Sequence, residues 1–103
     1  MLLTTTENIP GKSYEIIGIA KGSTIQSKHL GKDIGAGFKN LVGGEITAYV
    51  EMMNEARDIA TQRMLADANS MGADAVVCLR YSTSAVMASA AEVMAYGTAV
   101  KLK

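Results

Sequence analysis

The chain is 103 residues long and 49% hydrophobic, and it balances ten basic against ten acidic side chains. That composition belongs to a globular chain of single-domain size, residues 1–103, and excludes a disordered polymer. With no net charge, and with Lys12, Lys21, Lys28, Lys32 and Lys39 scattered rather than clustered, an electrostatic grip on nucleic acid or on an anionic membrane is excluded too.

Residues 2–6 read as a short strand closed by the turn cluster Asn8-Ile9-Pro10-Gly11. Residues 14–26 are strand-like, and Gly18 and Gly22 within them predict a bulge or a close backbone approach. Residues 28–39 hold Gly31, Gly35 and Gly37, so a helix there is short and loose. Gly43-Gly44 is a break. Residues 45–71 carry the strongest pattern: at about 100° per residue, Ile46, Val50, Met53, Ala60, Met64, Ala68 and Met71 fall near one line. Glu51, Glu55, Asp58, Gln62 and Asn69 lie opposite, and Gly72 ends this amphipathic helix in a C′ position. Met52, Ile59 and Ala66 form a second apolar edge. Residues 73–81 read as a buried strand, residues 82–91 as a wide turn of small polar residues, and residues 92–102 as a final strand. Its alternation sets Met94, Tyr96, Thr98, Val100 and Leu102 on one face and Val93, Ala95, Gly97 and Ala99 on the other.

The predicted order is therefore β-β-α-α-β-β, an α+β fold with a small, mainly antiparallel sheet packed on one long helix. One helix covers one sheet face. The other face, and the helix's second apolar edge, need burial elsewhere, and copies of the same chain supply it most economically. Cys78, the single cysteine, cannot close an internal disulfide, and the start of the chain lacks the basic flank and apolar core of a signal peptide. No apolar run approaches the ~20 residues that span a bilayer. A cytoplasmic protein is expected.

Catalytic and cofactor motifs are fragmentary. Gly11-Lys12-Ser13 imitates the end of a phosphate-binding loop, but Thr6 stands where its first glycine belongs and a strand is expected to follow. Gly35-Ala36-Gly37 lacks the third glycine of a dinucleotide fingerprint. The helical methionines have core spacing, which outweighs a copper reading. His29 and Cys78 are the strong soft or borderline metal ligands, and they lie far apart in the sequence. Cys78 is expected to turn inward with Val76 as a small hydrophobe. The single histidine adjoins no aspartate-bearing motif, and Glu51, Glu55 and Asp58 occupy a solvated face, so no enzyme is expected.

Two arginines break the local pattern. Arg57 lies beside the centre of the helix's apolar stripe, where a guanidinium must snorkel or be paired, with Glu92 or Asp67 as candidate partners. A turn over residues 82–91 would also set Arg80 opposite Glu92, Cys78 opposite Met94 and Val76 opposite Tyr96.

Glu55-Ala56-Arg57, Arg63-Met64, Gly72-Ala73-Asp74-Ala75-Val76-Val77, Arg80-Tyr81 and Tyr96-Gly97-Thr98-Ala99-Val100 together resemble the YbjQ-like family of bacterial proteins. Thr4-Thr5, Gly11, Gly18, Gly22 and Gly43-Gly44 extend the resemblance over nearly the whole chain. It implies a fold similar to the dodecin subunit, assembled as a pentameric ring with short extra strands joining neighbours, and a heavy-metal-binding label without an established activity. The sequence has no Cys-x-x-Cys and no histidine cluster to support that label. Two function classes follow. A homo-oligomer could bind a heavy metal or small ligand at interfaces containing Arg57, Arg80, Tyr81, Glu92 and Tyr96, with Cys78 and His29 as the metal candidates. Alternatively it is a structural or protein-interaction module with no ligand of its own.

Overall fold

The computed structural model describes residues 1–27, 44–87 and 90–103. They form β1 (Leu2–Leu3), β2 (Tyr14–Ser27), α1 (Gly44–Ser70), β3 (Ala75–Met87) and β4 (Ala90–Leu102). The α+β class and the long helix between two pairs of strands agree with the sequence. The short helix expected over residues 28–39 lies outside the described residues.

The strand order is β1-β3-β4-β2. β4 runs antiparallel to both β2 and β3, whereas β1 runs parallel to β3 through Leu2↔Ala75 and Leu3↔Val76, so the sheet is mixed. Past Leu3 the chain still follows β3: the Thr4 N–H donates to the Val76 carbonyl at 3.0 Å, and the Leu79 and Cys78 N–H groups donate to the carbonyls of Thr4 and Thr6.

The wide turn expected over residues 82–91 is instead paired strand. β3 continues to Met87 and β4 begins at Ala90. β4 is the central strand, held on its far side by β2 as far as Ser27↔Ala90, and so it templates β3 along its whole length. Small side chains at Ser82 to Ala85 let β3 follow without forcing a core around it. The register changes accordingly to Arg80↔Tyr96, Ser82↔Met94 and Ser84↔Glu92.

The ladders break register three times, once between Ala85 and Met87 near the end of β3 and twice where a bulge re-aims a strand. Ile17 is the extra residue between Ile16↔Val100 and Gly18↔Ala99, as the Gly18 signal suggested. In β3, Cys78 and Leu79 together lie between the pairs Val77↔Thr98 and Arg80↔Tyr96, and Cys78 takes a left-handed φ of 56°. An added Cβ on the facing Gly97 would come within 2.6 Å of the Val76 Cγ1 and 3.0 Å of the Val77 carbonyl oxygen, so the crowded bulge requires glycine there.

α1 buries Ala56, Ala60, Met64 and Ala68 against the sheet, and Tyr49 and Met52 in a second cluster with Met53. From Met52 onward the buried positions are steps of four, an inclined ridge rather than a straight line on the helical wheel. Ile46 and Val50, expected on the buried stripe, fall off this ridge and are exposed. The ridge is rich in alanine, and the helix backbone consequently lies directly on β2. A Cβ at Gly22 would sit 2.2 Å from the Met64 nitrogen and 2.7 Å from the Ala60 carbonyl oxygen. The helix ends as expected: Gly72 has φ 79°, its N–H reaches the Asn69 carbonyl, and the Ala73 N–H reaches the Ala68 carbonyl. These two bonds make a Schellman cap.

Candidate functional site

Pairing partners share a sheet face, so the register defines the face turned away from α1. Across three strands it carries the rows Ile19–Thr98–Val77, Lys21–Tyr96–Arg80, Ser23–Met94–Ser82 and Ile25–Glu92–Ser84. The alternation expected along β4 holds. At one end, Ile9, Tyr14 and Cys78 pack over Ala75, Val77 and Val100, and the Tyr14 hydroxyl donates to the Glu7 carbonyl at 2.7 Å. The rest of the face is bare: Ile16 and Ile19 are each 71% exposed and Ile25 60%.

Arg80, Tyr96 and Glu92 therefore share this outer face, with Arg80 directly beside Tyr96 and Glu92 two rows away. The expected Arg80–Glu92 pairing is replaced by the register above. The Arg80 Nη1 donates instead to the carbonyls of Thr5 at 3.0 Å and Leu79 at 2.8 Å, which pin the side chain over the chain segment after β1. Tyr81 points the other way, toward the helix, and its hydroxyl lies 2.8 Å from the Thr61 Oγ1. The Thr61 hydroxyl is also within hydrogen-bond distance, 2.7 Å, of the Arg57 carbonyl, so Arg57 and Tyr81 are brought close on the helix side, apart from the other three.

Arg57 is half-buried beside Ala56, and its Nη2 donates to the Asn54 Oδ1 at 2.6 Å. Neither Glu92 nor Asp67 forms an ion pair with it; among the described residues the ion pairs are Lys101–Asp74 and Lys103–Glu15, both at the surface. Cys78 does not turn inward with Val76. The bulge places it, half-buried, on the outer-face side with Val77 while Leu79 takes the helix side. His29 lies outside the described residues. Gly11 occupies a turn with φ 73°, closed by the Lys12 N–H on the Ile9 carbonyl, and a strand follows it, which rules out a phosphate-binding loop there.

The donor chemistry for a metal is thin. Among the described residues no group of three His, Cys, Asp or Glu side chains converges. Cys78 has carbon neighbours, in Ile9, Tyr14, Val77 and Val100, and a thiolate ligand needs further soft or anionic donors around the ion. A single chain's described residues do not fit a heavy-metal site.

Sequence reasoning passed over the outer edge of β2, which has no neighbouring strand among the described residues. Two helix side chains cap it: the Lys21 N–H donates to the Asp67 Oδ2 at 3.0 Å, and the Arg63 Nη1 donates to the Ser23 carbonyl at 2.7 Å. Beside these caps lies an open pocket of about 400 Å³, lined by Lys21, Gly22, Ser23, Arg63 and Met94. The signal available in the sequence was Gly22, which brings the helix close enough for both caps to reach.

A family model described as "Putative heavy-metal-binding" matches residues 1–103. The chain is 64% identical over 101 residues to a UPF0145 protein of Alkaliphilus metalliredigens, covering 98% of each. It is 62% identical over 102 residues to a UPF0145 protein of Clostridium novyi, covering 99% of each. Its fold is similar to the crystal structure of a protein of unknown function from the DUF74 family of Pediococcus pentosaceus, with a TM-score of 0.73 at 21% identity over 100% of this chain and 98% of that one.

Proposed function

The chain belongs to the YbjQ family of UPF0145 proteins, and from that premise we propose that it works as a homo-oligomeric binding module whose copies bury the outer sheet face. The observation that carries this reading is the exposure of Ile16, Ile19 and Ile25 on one face of a sheet whose other face α1 covers over β2 and β4. Burying them further is worth about 1–2 kcal/mol each. Their sum of roughly 3–6 kcal/mol only reaches the lower end of what association costs. The strand edges must then contribute as well, and β3 beyond Arg80 offers one, with every described residue from Tyr81 to Met87 exposed. On the family pattern the assembly is a pentameric ring. Arg80, Tyr96 and Glu92 then line the seam where a small ligand would bind. The role is non-catalytic, and its place is the cytoplasm. A lone cysteine supports that location, and among the described residues no helix is long and apolar enough to cross a membrane.

A second reading follows from the family description. A heavy metal would need donors from more than one copy, and Cys78 is the natural contributor because it is half-buried on the face that assembly would cover. Native mass spectrometry of protein purified without chelators or a metal-affinity column tests both readings. A mass equal to a whole number of subunits supports the assembly. Additional mass identified as metal, and lost in Cys78→Ala, supports the second reading. A monomer at micromolar concentration overturns the proposal.

A further inference from the structure

The pocket at the β2 edge has a chemistry that the assembly does not explain. Lys21 and Arg63 both line it, and among the described residues neither forms an ion pair with a carboxylate. The Arg63 guanidinium spends one N–H on the neutral Ser23 carbonyl and retains the others of its five-donor fork. That bond fixes where the fork sits, so less side-chain entropy is lost when it takes a second acceptor. The Ser23 N–H points to the same outward side as its carbonyl, by the geometry of an antiparallel edge strand, and adds a neutral donor. The nearby acids are Asp67, which is engaged by the Lys21 N–H, and Glu92, one row on from Met94 on the same face. Met94 supplies an apolar wall. A volume of about 400 Å³ is within the range of small-molecule sites.

We infer that this pocket binds a small phosphate-bearing molecule, its phosphate held by the Lys21 ammonium and the Arg63 guanidinium and its apolar part lying on Met94. A phosphate dianion matches two adjacent cations, one a point charge and one a fork, better than a single carboxylate does. The site is built from one chain, although Lys21 and Met94 stand on the outer face, in rows between those of Ile19 and Ile25, so the pocket must stay open at the β2 edge when copies cover that face.

The test is an amide NMR titration of the full chain with inorganic pyrophosphate and with AMP at constant ionic strength, with sodium chloride as the control. Assembly size is read by light scattering on the same samples. Saturable shifts centred on Lys21, Gly22, Ser23 and Arg63 are expected. Lys21→Met and Arg63→Gln should each weaken binding about tenfold, the loss of one charge-assisted hydrogen bond. Asp67→Asn, which removes the competing charge and keeps an acceptor for the Lys21 N–H, should tighten it. AMP binding with added shifts at Met94 supports the apolar wall. Lys21 is exposed, so Lys21→Met leaves the fold intact even if Arg63→Gln does not. Linear shifts equal to those with chloride, saturation centred on other residues, or unchanged affinity in Lys21→Met with the assembly size preserved would each overturn the inference.

Discussion

Gly22 and Cys78 are the residues on which the backbone makes the strictest demands, and they make opposite ones. At Gly22 the demand is for space: the site of an added methyl is 2.2 Å from the Met64 nitrogen and 2.6 Å from the Arg63 carbonyl carbon, all main chain. Backbone cannot rotate aside as a side chain can. Gly22→Ala must therefore lift α1 off β2, at a cost of about 3 kcal/mol or more. A fall in melting temperature of more than about 10 °C is expected for a domain of this size. Gly72→Ala is the contrast, since its φ of 79° is strained for alanine but nothing lies within 4 Å of the new methyl. It should cost only about 1 kcal/mol. At Cys78 the demand is for conformation, a φ of 56° in a side chain that also packs on Val77 and Val100. Cys78→Gly should leave the melting temperature nearly unchanged, the relief of the left-handed backbone offsetting the lost packing. Cys78→Val, although apolar and of similar size, should destabilise by about 2 kcal/mol because a β-branched side chain resists that φ. Equal melting temperatures for the two Cys78 variants would contradict the account. The sequence announces Gly22 openly, since a glycine inside a strand has few other reasons. Nothing announces Cys78, because thiols have no turn preference and the bulge is set by Gly97 across the sheet.

At the scale of elements, α1 does two jobs on β2: it fills the space beneath the strand and it seals the strand's edge. Met64, fully buried on the ridge, carries the first; Met64→Ala should cost about 2–5 kcal/mol. Asp67 and Arg63 carry the second, since a free edge presents unpaired groups to any passing strand. Asp67→Ala removes the acceptor of the Lys21 N–H and should destabilise by about 1–2 kcal/mol. The decisive reading is local. Hydrogen exchange at the Lys21 amide should accelerate by about tenfold or more, while amides of β4 keep their protection. Uniform acceleration across the sheet would mean that Asp67 matters only to global stability. The long helix, its Schellman cap and the two-faced β4 were legible because each rests on a local period or a local glycine. The buried ridge was not, because at about 100° per residue each step of four advances about 40° and spreads Met52 to Ala68 around the wheel, while Ile46 and Val50 fall at the same angles as Met64 and Ala68. The β3–β4 hairpin was misread for a related reason. Ser82, Thr83, Ser84 and Ala85 carry a turn-like composition, and only β2, distant in sequence, holds β4 extended opposite them. Side-chain capping across 40 or more residues, as between Arg63 and Ser23, leaves no trace in any sequence window.

The whole molecule is a two-layer body, 51 × 23 × 16 Å, whose second layer stops at one face of the sheet. Its own stability comes from the helix-side core, in which Ala20, Ala60, Met64, Val76 and Val93 are fully buried. The outer face contributes little to a lone chain, because Ile16, Ile19 and Ile25 remain mostly in water there. This separation makes assembly measurable independently of folding. If copies cover the outer face, folding and association are linked, and the melting temperature of the native chain must rise with protein concentration. Replacing the three isoleucines together, Ile16→Ser, Ile19→Ser and Ile25→Ser, should abolish that dependence and yield a smaller particle by light scattering. The intrinsic stability of a single chain should change little, because exposed positions rarely cost more than about 0.5 kcal/mol each. A variant that keeps both its size and its concentration-dependent melting would place the contact elsewhere, on the exposed β3 edge from Tyr81 to Met87. A native chain whose melting is independent of concentration across a hundredfold range would leave the sheet face uncovered, and the apolar surface would then need a partner other than a second copy.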